Sequence, residues 1–383
     1  SANGEPLAGV GITNDQVMTH LRGPKGSNVV VGIVRSGMPK PFDVTIERGK
    51  IPIHSVAASL LDDDGTGYIK LVRFAKNTHE EFLRAADALK ARGMKRLVLD
   101  LRGNGGGFLT AAIDLADEFL PTGRAIVYTE GLHSPRQSAD ATRSGGYEDI
   151  PLALLIDEGS ASASEIVSGA IQDWDRGLIV GRRSFGKGLV QRPVMLSDGS
   201  AGRLTVSRYY TPSGRSIQKA YDEGVEAYQR ERSERWTKGE LTSADSIHPA
   251  DTVRYFTMNK RVVYGGGGIT PDLFVPIDTS LSSEYFGQLV RRGILNTFAL
   301  ATVDQHRNEW LATYPHVAAF SQQFQVSDAL AKALQDQAAK EEVAFDAEGW
   351  ARSKELIGIR LKALIARDLW DTSAYWQVIN AYN

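Results

Sequence analysis

The stretch Arg96-Leu-Val-Leu-Asp-Leu101 leads directly into Arg102-Gly-Asn-Gly-Gly-Gly107, and an apolar helical pattern then runs from Leu109 to Leu120 before Pro121. A short run rich in β-branched and aliphatic residues, bounded by glycines, is typical of a buried strand. A helix that opens directly after such a loop and stops before a proline is the second half of a βα unit. This stretch therefore predicts an α/β fold.

A second unit of the same kind lies farther along the chain. A strand is predicted from Leu152 to Ile156, followed by the loop Asp157-Glu-Gly-Ser-Ala161 and a helix that reaches about Asp173. From Ile51 to about Asp278 short strands alternate with amphipathic helices, as expected for an α/β core. Both units place a loop of small residues at the N-terminus of a helix.

The regions that flank this core have different patterns. Before it, the sequence predicts a short helix and two strands; within it, a charged surface insertion; after it, a helical region in which apolar residues recur at helical spacing. The predicted segments are Asn14 to Leu21, Asn28 to Arg35, Pro41 to Arg48, Gln218 to Thr257 and Leu281 to Asn383. We therefore divide the chain into residues 1–50, 51–280 and 281–383.

Composition excludes several kinds of chemistry. The 383 residues contain no cysteine, which excludes disulfides, thiolate nucleophiles and cysteine-ligated zinc. The 44 basic and 46 acidic residues nearly cancel, so no overall charge draws the chain to nucleic acid or to anionic lipid. No apolar run reaches the ~18 residues of a membrane span, and no signal peptide is expected in the chain.

A serine cluster and a glycine-flanked lysine are the candidates for chemistry. Ser160, Ser162 and Ser164 lie where the second predicted helix begins. There the unpaired N–H groups and the helix dipole could stabilise an oxyanion, with Ala163 N–H as the first donor. A serine needs a base, and a buried lysine can serve because low dielectric disfavours its charged form. Lys187 is flanked by glycines, and Phe185, Leu189 and Val190 could exclude water from it.

Other interpretations of these residues remain open. Ser162 with Glu165 fits a helix capping box, Lys187 could be a solvated turn lysine, and the loop at 103–107 could be a tight strand-to-helix turn. Seven scattered histidines and no G-x-S-x-G elbow leave a Ser-His-Asp triad without support. A P-loop at 181–187 fails because Gly188 replaces Ser/Thr, and a dinucleotide fingerprint after Gly103 fails at Phe108.

Several separated segments, taken together, resemble the C-terminal processing peptidases, also called tail-specific proteases. The segments occur in the family's order, and the likeness covers roughly residues 5 to 277. They are Gly67-Tyr-Ile-Lys-Leu71, Asp100-Leu-Arg-Gly-Asn-Gly-Gly-Gly107, Asp157-Glu-Gly-Ser-Ala-Ser-Ala-Ser-Glu165, Ser184-Phe-Gly-Lys-Gly-Leu-Val-Gln191, Tyr209-Tyr-Thr-Pro-Ser-Gly214 and Gly268-Ile-Thr-Pro-Asp272.

The resemblance implies a role for each matching residue. In the family the nucleophile precedes the lysine by 25 positions, which from Lys187 selects Ser162. Gln191 matches a glutamine thought to orient the lysine by hydrogen bonding. An amide from Gly106 or its neighbour would join Ala163 in the oxyanion hole. Two acidic positions match supporting residues of the family, and we expect both to be structural; they are Glu165 and Asp173.

The family also implies a fold and a function. We expect a catalytic core of the crotonase or Clp-protease-like kind and a serine endopeptidase that works through a Ser-Lys dyad and an acyl-enzyme, without a metal or cofactor. Its substrates would be flexible protein tails with apolar C-termini, cut in the bacterial periplasm or cell envelope, and a homo-oligomer is compatible with this. Residues 5–49 resemble only the closing half of a PDZ domain, and Gly105 stands where many members have proline. A scaffold protein that keeps the fold is the alternative.

Overall fold

The computed structural model describes residues 1–35, 38–51, 53–142, 145–248 and 252–382. The predicted insertion at 218–257 and the predicted helical region therefore extend, at 249–251 and at Asn383, outside the described residues. Among the described helices none is both long enough and apolar enough to cross a lipid bilayer.

The N-terminal part contains one helix and one antiparallel hairpin. Its elements are α1 (Asn14–Leu21), β1 (Asn28–Ile33) and β2 (Phe42–Glu47). Thr13 caps α1 reciprocally with Gln16: the Thr13 hydroxyl accepts from Gln16 N at 3.3 Å, and the Gln16 side chain accepts from Thr13 N at 2.7 Å. The predicted helix is confirmed at both ends, while both strands are shorter than predicted.

The central part is built around a six-stranded sheet. Its elements are β3 (Val56–Leu61), β4 (Thr66–Leu71), α2 (Thr78–Ala91), β5 (Arg96–Asp100), α3 (Leu109–Asp117), β6 (Ala125–Gly131), β7 (Ser134–Asp140), β8 (Leu152–Ile156), α4 (Ala163–Asp173), β9 (Leu178–Gly181), β10 (Leu189–Met195), β11 (Ala201–Tyr210), α5 (Gly224–Thr237), β12 (Arg254–Phe256), β13 (Val262–Tyr264) and β14 (Leu273–Phe274). The sheet has the order β14-β9-β8-β5-β4-β3, parallel except for β3 against β4.

This topology decides where the two predicted loops meet. Because β5 and β8 are parallel neighbours, their carboxyl ends open at the same edge of the sheet. The glycine loop follows β5, and the serine loop follows β8. Crevices outside the carboxyl ends of parallel strands are the usual ligand sites of α/β sheets. A second, antiparallel sheet has the order β10-β11-β6-β7. Its strand β10 begins at Leu189, two residues after Lys187.

The C-terminal part is helical, as predicted. Its helices are α6 (Glu284–Arg291), α7 (Ile294–Thr313), α8 (Val317–Gln323), α9 (Asp328–Lys340), α10 (Ala347–Leu369) and α11 (Thr372–Asn380). Four of them begin with a Ser or Asp side chain that accepts from a first-turn N–H; these caps are Ser283, Ser327, Asp346 and Asp371. The sequence thus specifies these helix starts locally.

Most of the buried apolar residues fall into two separate clusters. One extends from Ile69 to Ile269 between the main sheet and its helices, and the other from Tyr285 to Val378 among α6–α11. The helical part contacts the core through α11, which packs on the edge strand β3. Two clusters of this kind are what two packed units produce, each with a core of its own.

The charged segment after Gln218 is not only a surface insertion. It contains α5, and Arg235 of this helix is buried with 3% of its surface exposed. The Arg235 guanidinium donates to Ser184 O at 2.7 Å and to Phe185 O at 3.2 Å. The prediction missed this contact because a helix held by ion pairs lacks the apolar periodicity that marks a buried face.

Candidate active site

Ser162 lies on a sharp turn between β8 and α4. Its backbone has φ 56° and ψ −111°, which an L-residue other than glycine rarely adopts and which costs ~1–3 kcal/mol. The next residue, Ala163, is the first of α4, so its N–H has no acceptor within the helix. The turn therefore presents a half-buried serine beside an amide that is available to a substrate oxygen.

The buried carboxylate of Glu165 joins the Ser162 turn to the loop that carries Lys187. Glu165 Oε2 accepts from Ser162 N at 2.8 Å and from Lys187 N at 2.9 Å. Glu165 Oε1 accepts from Ser184 Oγ at 2.5 Å and from Gly186 N at 2.7 Å. Burial raises the pKa of Glu165, while these four hydrogen bonds act in the opposite direction. Since one oxygen atom contacts both N–H groups, the backbones of Ser162 and Lys187 are neighbours.

Tyr209 of β11 makes a second link between the same two residues. Its hydroxyl lies 3.0 Å from Ser162 O and 2.5 Å from Lys187 O. Burial, with the nearby charge of Glu165, raises the pKa of Tyr209 well above its ordinary value, so the hydroxyl remains a donor. The backbone of each residue is thus held at its N–H by Glu165 and at its C=O by Tyr209.

Lys187 is half-buried, and so are the three apolar residues predicted to surround it, Phe185, Leu189 and Val190. Glycines on both sides allow close packing: a Cβ at Gly186 would lie 3.1 Å from Gly268 N, and one at Gly188 would lie 3.0 Å from Gln218 N. The loop is therefore anchored through its backbone.

The glycine loop packs directly against the Ser162 turn. A Cβ on Gly106 would lie 2.8 Å from Ser162 Cβ and 2.8 Å from Ala163 N, and Gly106 has φ 93°, so only glycine fits there. However, Gly106 N donates to Asn104 Oδ1 at 2.9 Å. The predicted oxyanion donor is therefore engaged within its own loop in this conformation.

Asn104 also connects the glycine loop to the serine turn. This buried residue accepts through its backbone oxygen from Ala161 N at 3.0 Å and from Ser164 Oγ at 2.8 Å, and its side-chain amide donates to Leu71 O at 2.9 Å. Of the three serine candidates, Ser164 is buried and bonded to Asn104, and Ser160 is buried and donates to Leu101 O at 2.9 Å. Only the middle serine of the cluster, Ser162, is half-exposed.

Two other predicted site residues lie outside this cluster of contacts. Gln191 is exposed on β10, after a bulge at Val190, and its side-chain amide donates to Thr205 Oγ1 at 3.4 Å. Asp173 lies at the far end of α4 and pairs with buried Arg215 at 2.8 Å. The interpretation of Asp173 as structural agrees with this ion pair, and an orienting role for Gln191 toward Lys187 stays a prediction.

Sequence reasoning assigned no role to Tyr209, Asn104 or Ser184, which connect the parts of the site. Each lies inside a quoted motif, in the Tyr-Tyr-Thr-Pro-Ser-Gly block, the glycine loop and the Ser-Phe-Gly-Lys block. All three are buried polar side chains. Buried polar groups are nearly always hydrogen-bonded. A polar residue inside a motif could therefore have been identified from sequence as a hydrogen-bonding link within the site.

Two family models and several curated proteins match parts of this chain. Residues 65–227 match peptidase family S41, and residues 285–371 match a family of unknown function, DUF8443. The carboxyl-terminal-processing protease of Synechocystis sp. is 39% identical over 208 residues, 54% of this chain and 48% of that protein. The carboxy-terminal-processing protease of Bartonella bacilliformis is 40% identical over 213 residues, again 54% of this chain and 48% of that protein.

A plant relative and a solved structure extend the comparison. The chloroplastic carboxyl-terminal-processing peptidase 2 of Arabidopsis thaliana is 35% identical over 230 residues, 56% of this chain and 44% of that protein. The photosystem II D1 C-terminal processing protease aligns with 72% of this chain and 62% of its own, at 28% identity and a TM-score of 0.41. The chain spans about half the length of the curated relatives it matches.

Proposed function

We propose that the chain is a serine endopeptidase of the C-terminal processing kind, with Ser162 as nucleophile and Lys187 as general base; the match of residues 65–227 to peptidase family S41 supports this. One observation carries the assignment: Glu165 and Tyr209 each hydrogen-bond to the backbones of both residues. A bridge of this kind is what a nucleophile and its base need to keep a constant separation.

The proposed reaction is acyl transfer. Ser162 Oγ attacks the peptide carbonyl carbon while its proton passes to the neutral amine of Lys187. The resulting oxyanion accepts from Ala163 N–H, and the leaving amine takes the proton from Lys187 as the C–N bond breaks. Lys187 then takes a proton from a water molecule as the water oxygen attacks the ester carbonyl carbon, and it returns that proton to Ser162 Oγ as the ester C–O bond breaks. No step requires a metal or cofactor.

The second oxyanion donor is the part of the site that needs a further proposal. Because Gly106 N–H is bonded to Asn104, we infer that either a neighbouring amide of the glycine loop serves, or the Gly106 peptide turns when substrate binds. In this proposal the described conformation is the resting state of the site. Substrate binding would turn the Gly106 peptide and move the Gln191 side chain toward Lys187, which completes the active site.

The finer assignments of fold and setting are proposals too. The main sheet, parallel apart from its edge strand, supports a crotonase or Clp-protease-like core, and the small hairpin β1–β2 with α1 supports a partial PDZ-like segment. The two apolar clusters support a boundary near residue 280, with domains at 1–50, 51–280 and 281–383. The names of the bacterial relatives support a protein substrate that is cut at its C-terminal end. A flexible, apolar tail and a periplasmic or envelope location stay predictions.

Cleavage of an unfolded polypeptide with an apolar C-terminus tests the proposal. The parent chain is compared with Ser162→Ala, Lys187→Ala and, as a matched lysine control, Lys238→Ala, at an exposed residue just after α5. We expect cleavage by the parent and by the Lys238 variant, and a loss of at least 1,000-fold in the other two. Cleavage that survives both active-site changes would refute the dyad, and no cleavage by the parent would favour a scaffold.

A further inference from the structure

A cavity of about 690 Å³ lies within the helical region, and its lining residues all fall between positions 322 and 382. It opens between α9 and α10, separate from the Ser162 turn. Its size is within the ~300–1,000 Å³ of small-molecule and peptide pockets. The lining includes the half-buried apolar residues Val326, Trp350 and Ile359 and the amide residues Gln325 and Gln335.

Of the described residues, five charged ones line the cavity, and only Lys362 of α10 among them is buried; Asp328, Lys332, Lys354 and Glu355 are exposed. Lys362 lines the cavity and has 5% of its surface exposed. Its ammonium donates to Ser321 O at 2.7 Å and to Tyr382 Oη at 3.2 Å, two neutral acceptors for three protons. Within the described ranges, no carboxylate forms an ion pair with Lys362. A buried cation without a counter-charge is unfavourable, and a bound anion would offset that cost.

A glycine on the same face of α10 leaves room beside this lysine. Gly358 precedes Lys362 by one helical turn, and residues four apart on a helix lie above one another. A Cβ built on Gly358 would meet no atom within 4 Å. Glycine is unfavourable inside a helix, and here no neighbour requires it, so the open space itself is the feature that a larger side chain would remove.

We propose that this cavity binds the C-terminal end of a peptide. The terminal carboxylate pairs with Lys362, the last apolar side chains pack against Val326, Trp350 and Ile359, and the peptide groups bond to Gln325 and Gln335. The glutamine amides favour a peptide over a fatty acid, since each offers both a donor and an acceptor. That the peptide is the tail of a substrate rests on the proposed function, whereas its binding does not.

Binding is measured with the full chain carrying Ser162→Ala, so that the probe stays intact. The probe is an N-terminally fluorescein-labelled decapeptide ending in Ala-Val-Leu, as the free acid and as the C-terminal amide, followed by fluorescence anisotropy. We expect the amide to bind at least tenfold more weakly than the acid. Lys362→Met should weaken binding of the acid at least tenfold and remove the preference for it, whereas Lys340→Met, at an exposed lysine outside the cavity, should change neither.

A second variant tests the cavity if Lys362→Met fails to fold. Gly358→Leu fills the open space in a helix that favours leucine over glycine, so we expect an unchanged or higher Tm together with at least tenfold weaker binding. Equal affinity for acid and amide in the parent, a preference that persists in both variants, or displacement of the peptide by an equimolar fatty acid would overturn the proposal. Cleavage assayed with Ser162 intact distinguishes its failure from failure of the proposed function.

Discussion

Ser162 is strained by ~1–3 kcal/mol at its backbone, and such a conformation persists only where the surroundings determine it. Here Glu165 bonds to its N–H, Tyr209 to its C=O, and Asn104 to the N–H of the residue before it. At the scale of single residues, the polar groups around the nucleophile therefore stabilise the backbone of the Ser162 turn. Of these three residues Tyr209 offers the cleanest test, since phenylalanine keeps its ring.

Tyr209→Phe removes one hydroxyl and leaves the ring in place. The part-buried carbonyl oxygens of Ser162 and Lys187 then lose the one hydroxyl proton that they share, so we expect the free energy of unfolding to fall by ~1–3 kcal/mol. We also expect kcat/KM to fall ~10-fold or more, because the distance between nucleophile and base is no longer held. Urea unfolding and steady-state cleavage measure the two effects.

The neighbouring tyrosine gives the control for this change. Tyr210 is half-buried on the same strand and stacks on Tyr128 at 4.8 Å between ring centroids. Tyr210→Phe keeps that stacking, so both measurements should stay near the parent values. If Tyr209→Phe matched Tyr210→Phe in activity, the bridge between Ser162 and Lys187 would have no catalytic importance.

At the scale of elements, α5 supports the loop that carries Lys187. Arg235 on this helix donates to the carbonyls of Ser184 and Phe185, and its Nε bonds to Glu231 at 2.6 Å. Glu231 in turn pairs with Lys219 at 3.0 Å. The loop thus lies between two supports, with Glu165 bonded to its N–H groups and α5 bonded to its carbonyls. A helix that looks like an exposed insertion in sequence is part of the framework of the site.

Arg235→Met keeps a long side chain but removes the donors to the Lys187 loop. We expect kcat/KM to fall ~10-fold and its pH dependence to shift, because the loop can then move Lys187 relative to Ser162. Stability should fall by ~1–3 kcal/mol, since two buried carbonyls lose a donor. Steady-state cleavage across pH 6–10 measures the effect, because burial can lower a lysine pKa by up to ~3–5 units from its ordinary value.

Lys238→Met serves as the matched cation control for Arg235. Lys238 lies just after α5, its side chain is 71% exposed, and it pairs only with Glu234 among the described residues. An exposed pair of this kind contributes ~0–1 kcal/mol, so neither activity nor pH profile should change. If Arg235→Met lowered stability but kept a parent-like pH profile, α5 would stabilise the fold without positioning Lys187 for catalysis.

At the scale of the whole molecule, α11 covers a charged position next to the glycine loop. The Trp376 ring lies 5.0 Å from Lys70 Nζ, and Lys70 also donates to Asp100 at 3.1 Å and to Arg102 O at 2.5 Å. Burial lowers the pKa of Lys70, so the contact stabilises an ammonium in a setting that disfavours it. Helix α11 thereby contacts β4, the neighbour in the sheet of the strand β5 that leads into the glycine loop.

Trp376→Ala tests whether the two units stabilise one another. Loss of the ring exposes Lys70 and the edge of β3, so we expect the free energy of unfolding to fall by ~1–3 kcal/mol and amide exchange in β3 and α11 to accelerate. Trp236→Ala, at a tryptophan that is 52% exposed on α5, is the control and should change little. Parent-like exchange in β3 would mean that the helical unit adds nothing to the core.

The sequence by itself determined the elements that depend on neighbours along the chain. Periodicity and small-residue loops predicted β8 and the helix from the Ser162 turn to Asp173, because strand and helix periods repeat every two and 3.6 residues. Spacing within a family resemblance selected Ser162 and Lys187. α3 ends at Asp117 rather than at Leu120, since local patterns specify the ends of elements less well than their cores.

Only the tertiary structure decided which groups share partners. The Glu165 carboxylate accepts hydrogen bonds from the N–H groups of residues 162 and 187. The Asn104 side chain accepts from the Gly106 N–H, and the Arg235 guanidinium donates to the Ser184 carbonyl. Such hydrogen bonds join positions far apart in the chain and leave no periodic trace in it. The space beside Lys362 likewise depends on how α9 and α10 pack, because a cavity exists only between elements, whereas a sequence pattern describes one element at a time.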